Sequence, residues 1–95
     1  MARKLVVSDS PDRMVSAELY APTAAKAIGA LEGKGPWDLV SIHALRSDQH
    51  VQVLEWLMDH TEFCPAKLFL VGCDPLLVAR IKIALASKTT IEEMG

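Results

Sequence analysis

The sequence predicts an α/β fold: a small three-layer sandwich with a mostly parallel sheet of four strands and three helices. Three short apolar runs lack the polar alternation of a half-exposed strand, which is typical of the buried strands of a parallel sheet. These runs are Lys4–Val7, residues 38–43 and Lys67–Val71. Helical patterns separate them, and right-handed crossovers would place the helices on both faces of the sheet. The expected strand order is 2-1-3-4.

The first half of the chain reads as two strands and a helix. After the strand Lys4–Val7, residues 15–20 alternate apolar and polar side chains and predict an edge strand. Thr23 is a good N-cap for a helix that ends near Gly33. The link between the two strands is short and lacks a helix, so the pattern allows either parallel or antiparallel pairing there.

The second half reads as strand, helix, strand, helix. Residues 38–43 form a central strand, and Ser47 or Asp48 caps the helix that follows. Asp74-Pro75 combines a capping residue with a first-turn proline and begins a third helix that runs to about residue 86.

The end of the chain carries no strand pattern. Residues 89–95 contain a capping motif but are too few to hold a helix. The sequence therefore predicts one domain over residues 1–88, a C-terminal tail over residues 89–95 and no fifth strand.

The composition excludes several classes of function. With a net charge of -2 and no cluster of basic residues, the chain lacks the electrostatic footprint of a nucleic-acid binder. No apolar run approaches the roughly 18 residues of a membrane span, and no signal peptide is recognisable. Cys64 and Cys73 are too few for a disulfide framework or a zinc site. We therefore expect a cytoplasmic protein without membrane contact.

Several segments between residues 4 and 86 resemble a known family. They are Leu5-Val6-Val7-Ser8-Asp9-Ser10-Pro11, residues 20–28, 38–42 and 53–57, and Pro75 before a helix that bears Arg80. Together they resemble the receiver domain of response regulators, which has a flavodoxin-like fold, and more closely the small receiver-like domains that process cyclic phosphates. Those small domains lack the usual first helix, which agrees with the short link after Pro11.

The chemistry-bearing positions of that family are mostly replaced. Ser8 stands where the family has an acid, and only Asp9 keeps one. His43-Ala44-Leu45 replaces an acidic triplet, so the phosphoacceptor aspartate is missing. The resemblance therefore implies the scaffold without conventional phosphotransfer, and we lean toward a chain that is not an enzyme. Magnesium would need several oxygen ligands, and Asp9 alone is a weak candidate, so no cofactor is expected.

Three residues are catalytic candidates because they end predicted strands. His43 can transfer protons, with Asp9 on the neighbouring strand orienting its ring. The alternative reading is a polar strand end that bonds to the backbone. Cys73, just before a helix, can be an activated thiolate, or else an inert residue in a tight turn.

A second group of residues is the candidate site for a phosphorylated ligand. The start of the third helix attracts anions through its free amides and its dipole. Arg80 can clamp a phosphate, although Asp74 at the cap opposes an anion. The group consists of Ser8, Asp9, Ser10, Asp74 and Arg80.

The third helix is apolar nearly all round, which indicates either a self-association surface or a well-buried helix. The candidate interface residues are Trp56, Leu77, Ile81 and Ile83. His50 and His60 flank the second helix and are expected to face water.

Two functions from different classes follow. The first is a non-catalytic, receiver-like regulatory or interaction module that acts through protein contacts, as a homo-oligomer or with another protein, of the kind that suits a viral or bacterial regulator. The alternative is an enzyme or binder for a cyclic phosphate or phosphorylated small molecule at the C-terminal edge of the sheet. Nucleic-acid binding is a distant third.

Overall fold

The computed structural model describes residues 3–9 and 17–94 and shows a parallel sheet with three α-helices. In chain order the elements are β1 (Lys4–Val7), β2 (Leu19–Ala21), α1 (Ala24–Gly33), β3 (Leu39–His43), α2 (Gln49–Asp59), β4 (Lys67–Val71), α3 (Pro75–Leu85) and β5 (Thr90–Met94). Short 3-10 turns flank α2. No helix in this described part is long and apolar enough to cross a membrane.

The strand order β2-β1-β3-β4-β5 is that of flavodoxin-like folds. All four strand pairs are parallel, which decides the pairing of β1 with β2 that the sequence pattern left open. The predicted α/β class, the parallel sheet, the order 2-1-3-4 and the three helices are confirmed. Of the predicted second strand, residues 15 and 16 lie outside the described residues, and β2 occupies the edge position that was expected.

The predicted C-terminal tail is wrong over most of its length, because it forms the edge strand β5. The strand pairs with β4 from Lys67↔Thr90 to Val71↔Met94. The two adjacent glutamates of β5 gave this segment no strand pattern in the sequence, because charged residues are depleted in strands. At an edge such charges are tolerated and discourage pairing with other chains. Glu92 and Glu93 lie 3.2 Å and 3.7 Å from the ammonium groups of Lys67 and Lys82.

The three helices share one face of the sheet, so the described residues form two layers where the sequence predicted three. The connections β2–β3, β3–β4 and β4–β5 all step across the sheet in the same direction. Right-handed crossovers therefore bring α1, α2 and α3 to the same side. Alternate strand residues point into this layer and form the core with the buried helix faces. They are Leu5, Val7, Ala21, Val40, Ile42, Leu68 and Leu70.

The predicted starts of α1 and α3 are confirmed. Thr23 Oγ1 accepts a hydrogen bond from the amide of Lys26 at 3.3 Å. Asp74 Oδ1 accepts from the amide of Leu76 at 2.8 Å, and Pro75 occupies the first turn, where its missing N–H costs nothing.

The start of α2 differs from the expected cap. Asp48 precedes the helix, but its side chain makes no capping hydrogen bond. Ser47 and Asp48 both adopt left-handed backbone conformations, with φ of 57° and 54°. Such conformations cost a non-glycine residue roughly 1–2 kcal/mol each. The next residue, Gln49, instead contacts the start of the neighbouring helix α1. Its Oε1 accepts a hydrogen bond of 2.9 Å from the amide of Ala24.

Candidate functional site

The carboxyl ends of β1, β3 and β4 lie along one edge of the sheet, as predicted. Val7 is paired with Ile42, and His43 with Val71, in parallel registers. The segments that carry the candidate residues therefore leave the sheet side by side. What each side chain does there depends on which face of the sheet it points to.

Asp9 is engaged at the end of β1. Its Oδ2 accepts a long hydrogen bond of 3.4 Å from the amide of Arg46 and lies 3.9 Å from Arg46 Nε. The Arg46 side chain is 93% exposed, so this ion pair adds little stability. Ser8 is buried, and its amide donates to the carbonyl of Ala21 at 3.0 Å. Ser10 lies outside the described residues.

His43 belongs to the face of the sheet opposite the helices. Its Nε2 lies 3.3 Å from Ser41 Oγ, two residues earlier on the same strand. Ser41 is in register with Val6 and Phe69, none of which belongs to the helix-side core. The sequence suggested that Asp9 orients the His43 ring. Instead, the contacts described here pair His43 with Ser41 and Asp9 with Arg46. His43 is the last residue of β3 and lies on the same face as Ser41. Asp9 lies two residues beyond the end of β1, where strand alternation no longer sets the direction of the side chain.

Cys73 points to the other side, against the helix-side core, so it does not share a cleft with His43. Its Sγ lies 3.8 Å from the carbonyl oxygens of both Ile42 and Val71, which accept from the thiol. Burial raises the pKa of the Cys73 thiol, and the nearby Glu93 adds to this. The structure therefore argues against the activated thiolate considered for Cys73.

We predict that both cysteines react slowly with iodoacetamide at pH 8. Burial also raises the pKa of Cys64, so neither thiol gains the thiolate character that reactive cysteines have. A thiol whose pKa is raised in the folded state stabilises the fold fully below the unfolded thiol pKa of about 8.5. This contribution is lost as the pH rises through the higher folded-state pKa. Mass spectrometry of a pH series, with glutathione as the reference thiol, checks the prediction. Alkylation of Cys73 as fast as glutathione would contradict it.

Asp74 and Arg80 belong to a separate groove between the first turns of α2 and α3. Asp74 is the N-cap of α3, and Arg80 lies on the second turn of that helix. The groove has a volume of about 450 Å³ and opens to solvent. Its lining comes from both helices: Asp48, His50, Val51, Asp74, Leu76, Leu77 and Arg80.

His50 is the residue of this groove that sequence reasoning misplaced. Expected to face water, it is only 6% exposed. Its Nδ1 accepts a hydrogen bond from the buried amide of Leu45 at 2.9 Å. The signal was present in the spacing, since His50, Val53, Leu54 and Leu57 lie on one face of a 3.6-residue helix and are all buried. His60 is partly exposed, and its ring stacks on Trp56 with the centroids 4.5 Å apart.

The predicted interface residues divide between core and surface. Leu77 and Ile81 are buried within the chain, with 7% and 0% of their surface exposed, which is too little for either to anchor a protein interface. Trp56 is half-buried and packs against the core. Ile83 is 84% exposed, and Leu76, which the sequence analysis did not single out, is 77% exposed. The helical pattern marked α3 as rich in apolar residues but did not show which of its faces the sheet covers.

Among the described residues, no group of three or more His, Cys, Asp or Glu side chains is placed to hold a metal ion. Searches against protein-family models, curated proteins and solved structures gave no match to this chain.

Proposed function

We propose that the chain is a non-catalytic, receiver-like interaction module that acts through protein contacts. Two kinds of observation support this. First, candidate catalytic and ligand-binding side chains take part in hydrogen bonds within the fold. Asp74 caps α3, and the Cys73 thiol donates to a backbone carbonyl. The single observation that carries the proposal is the exposure of Leu76 and Ile83 on the outer side of α3, the two large apolar side chains most exposed in the described part of the chain.

The contact surface is the α3 stripe, formed by Leu76, Ala79 and Ile83. These residues are spaced i, i+3 and i+7, so they lie on one side of the helix. A second copy of the chain fits this stripe about a two-fold axis. In an antiparallel pair of α3 helices, Leu76 of one copy meets Ile83 of the other, and the small Ala79 near the axis lets the helices approach. The stripe is thus complementary to itself, as a symmetric dimer requires.

The size of the stripe sets the strength of the contact. Burying one leucine or isoleucine side chain contributes about 1.5–3 kcal/mol. Four such side chains in a dimer contribute roughly 6–12 kcal/mol, which is similar to the cost of association of about 4–15 kcal/mol. We therefore expect a weak dimer whose population rises with concentration.

Light scattering coupled to size-exclusion chromatography tests the proposal over a concentration series that reaches the millimolar range. The measured mass of the unmodified chain should rise with concentration from that of a monomer toward that of a dimer. Ile83→Glu should remain a monomer, because a carboxylate in the apolar contact has no partner. Ala25→Glu, which adds the same charge at an exposed position on α1, should behave like the unmodified chain. A strict monomer at every concentration, or equal loss of dimer in both variants, overturns it.

A further inference from the structure

The groove between α2 and α3 contains a buried histidine whose second ring nitrogen has no partner among the described residues. Because Nδ1 of His50 accepts from the Leu45 amide, the proton of the neutral ring is on Nε2. His50 lines the groove, and no hydrogen bond to its Nε2 is present among the described residues. Within residues 3–9 and 17–94 the only fully buried side-chain polar atom without a partner is Thr89 Oγ1, so the unpartnered Nε2 is not fully buried. Nε2 is therefore accessible from the groove and presents a hydrogen-bond donor there.

Three kinds of group line the groove together with His50. Asp48 and Asp74 each contribute a carboxylate to the lining of the groove. Asp74 uses Oδ1 as the helix cap, which leaves Oδ2 for another partner. Arg80 contributes one cation, and Val51, Leu76 and Leu77 contribute apolar surface. The formal charge of the lining is thus -1 at neutral pH.

We propose that this groove binds a small apolar α-amino acid as its zwitterion. The ammonium group fits the Asp48 and Asp74 carboxylates. The carboxylate accepts from His50 Nε2–H and from Arg80, and the side chain covers Val51 and the two leucines. The volume of about 450 Å³ lies in the lower part of the range for small-molecule sites, about 300–1,000 Å³. Leu76 also belongs to the α3 stripe, so the ligand and the second copy of the chain compete for this side chain.

The charges separate this ligand from a phosphorylated one. A phosphate would meet Arg80 and His50 but also both carboxylates, and like charges without a counterion are repelled. The amides at the start of α3, which would otherwise attract an anion, are partly used. The Leu76 amide donates to Asp74 Oδ1, and the Val78 amide donates to the Asp74 carbonyl. A ligand with its own positive charge resolves this conflict.

Calorimetric titration of the full chain with L-leucine tests the proposal, and Ile83→Glu provides a monomeric background that leaves the groove unchanged. Two related probes dissect the recognition. 4-Methylpentanoate lacks the ammonium group, and L-leucinamide lacks the carboxylate. L-Leucine should bind saturably, and 4-methylpentanoate at least tenfold more weakly, since a hydrogen bond to a charged group contributes about 1.5–3 kcal/mol.

Three substitutions remove charge while retaining the fold. Asp48→Asn and Asp74→Asn each should weaken L-leucine binding about tenfold. Asparagine tolerates the left-handed backbone at position 48 and caps a helix as well as aspartate does at position 74. Arg80→Gln should weaken L-leucine binding by a similar factor. It should not weaken binding of L-leucinamide, which has an ammonium group but no carboxylate for Arg80 to bind. Thermal unfolding of each variant verifies that it is folded.

Nitrogen NMR of His50 supplies an independent readout. In the free chain the ring should be the Nε2–H tautomer, and the Nε2 signal should shift on addition of L-leucine. The proposal is overturned by absence of saturable L-leucine binding, by 4-methylpentanoate binding as tightly as L-leucine, or by binding that leaves the Nε2 signal in place. Inorganic phosphate binding more tightly than L-leucine would identify the groove as an anion site instead.

Discussion

Replacing Ile81 by glutamate should unfold the chain, whereas the same replacement two residues later, at Ile83, should leave it folded. Ile81 is fully buried between α3 and the sheet, and Ile83 is 84% exposed on the opposite side of the helix. A carboxylate at position 81 would lose the burial of the isoleucine, about 1.5–3 kcal/mol, and would in addition be an unpaired charge in the core. Effects of this kind exceed about 4–5 kcal/mol.

That loss is comparable to the whole stability of a small domain, which is about 5–15 kcal/mol. Far-ultraviolet circular dichroism and urea unfolding of the two variants measure it. We expect Ile81→Glu to lack a cooperative transition at 25 °C and Ile83→Glu to unfold within about 0.5 kcal/mol of the unmodified chain, as surface replacements do. Equal stabilities would show that α3 does not pack on the sheet through Ile81, and would remove the basis for the α3 stripe.

The fold was predictable because its main signals are local. The apolar runs of β1, β3 and β4 and the capping residues Thr23 and Asp74 each act within a few residues of the element they specify. The number of layers depends instead on the direction in which successive strands are added to the sheet. For α3 the direction depends on β5, which the two glutamates concealed, because α3 lies in the connection from β4 to β5. A sheet of order 2-1-3-4 with right-handed crossovers already requires α1 and α2 to share a face.

The candidate site was less predictable because it depends on where side chains point. Strand direction correctly brought the segments of Asp9, His43 and Cys73 to one edge of the sheet. His43 and Cys73 nevertheless lie on different faces of the sheet. His43 is the last residue of β3 and follows the strand alternation, whereas Cys73 lies in the loop after β4, where alternation no longer predicts the face. His50 shows the opposite case, because helical spacing placed it among buried residues while its polarity suggested water. A histidine on an apolar helix face is better read as a buried hydrogen-bond acceptor.

Deleting residues 90–95 should destabilise the domain severely, although the sequence pattern predicts a C-terminal tail over residues 89–95. The deletion removes a complete strand of the sheet and the contact of Ile91 with the core. Each backbone hydrogen bond that is lost costs about 0.5–1.5 kcal/mol. We expect a total loss of about 3 kcal/mol or more, which lowers the Tm of a domain of this size by at least ~12 °C.

The exposed edge after the deletion is a second reason for a large effect. β4 would become the edge strand, and its central residues Leu68, Phe69 and Leu70 carry no charge that discourages pairing with another chain. We therefore expect the truncated chain to aggregate on heating as well as to unfold earlier, which calorimetry combined with light scattering measures. The matched control is the full chain with Glu92→Gln and Glu93→Gln. It loses only the two surface ion pairs, and should change by less than about 1 kcal/mol per pair. A truncated chain as stable as this control would show that β5 adds nothing to the sheet beyond its charges.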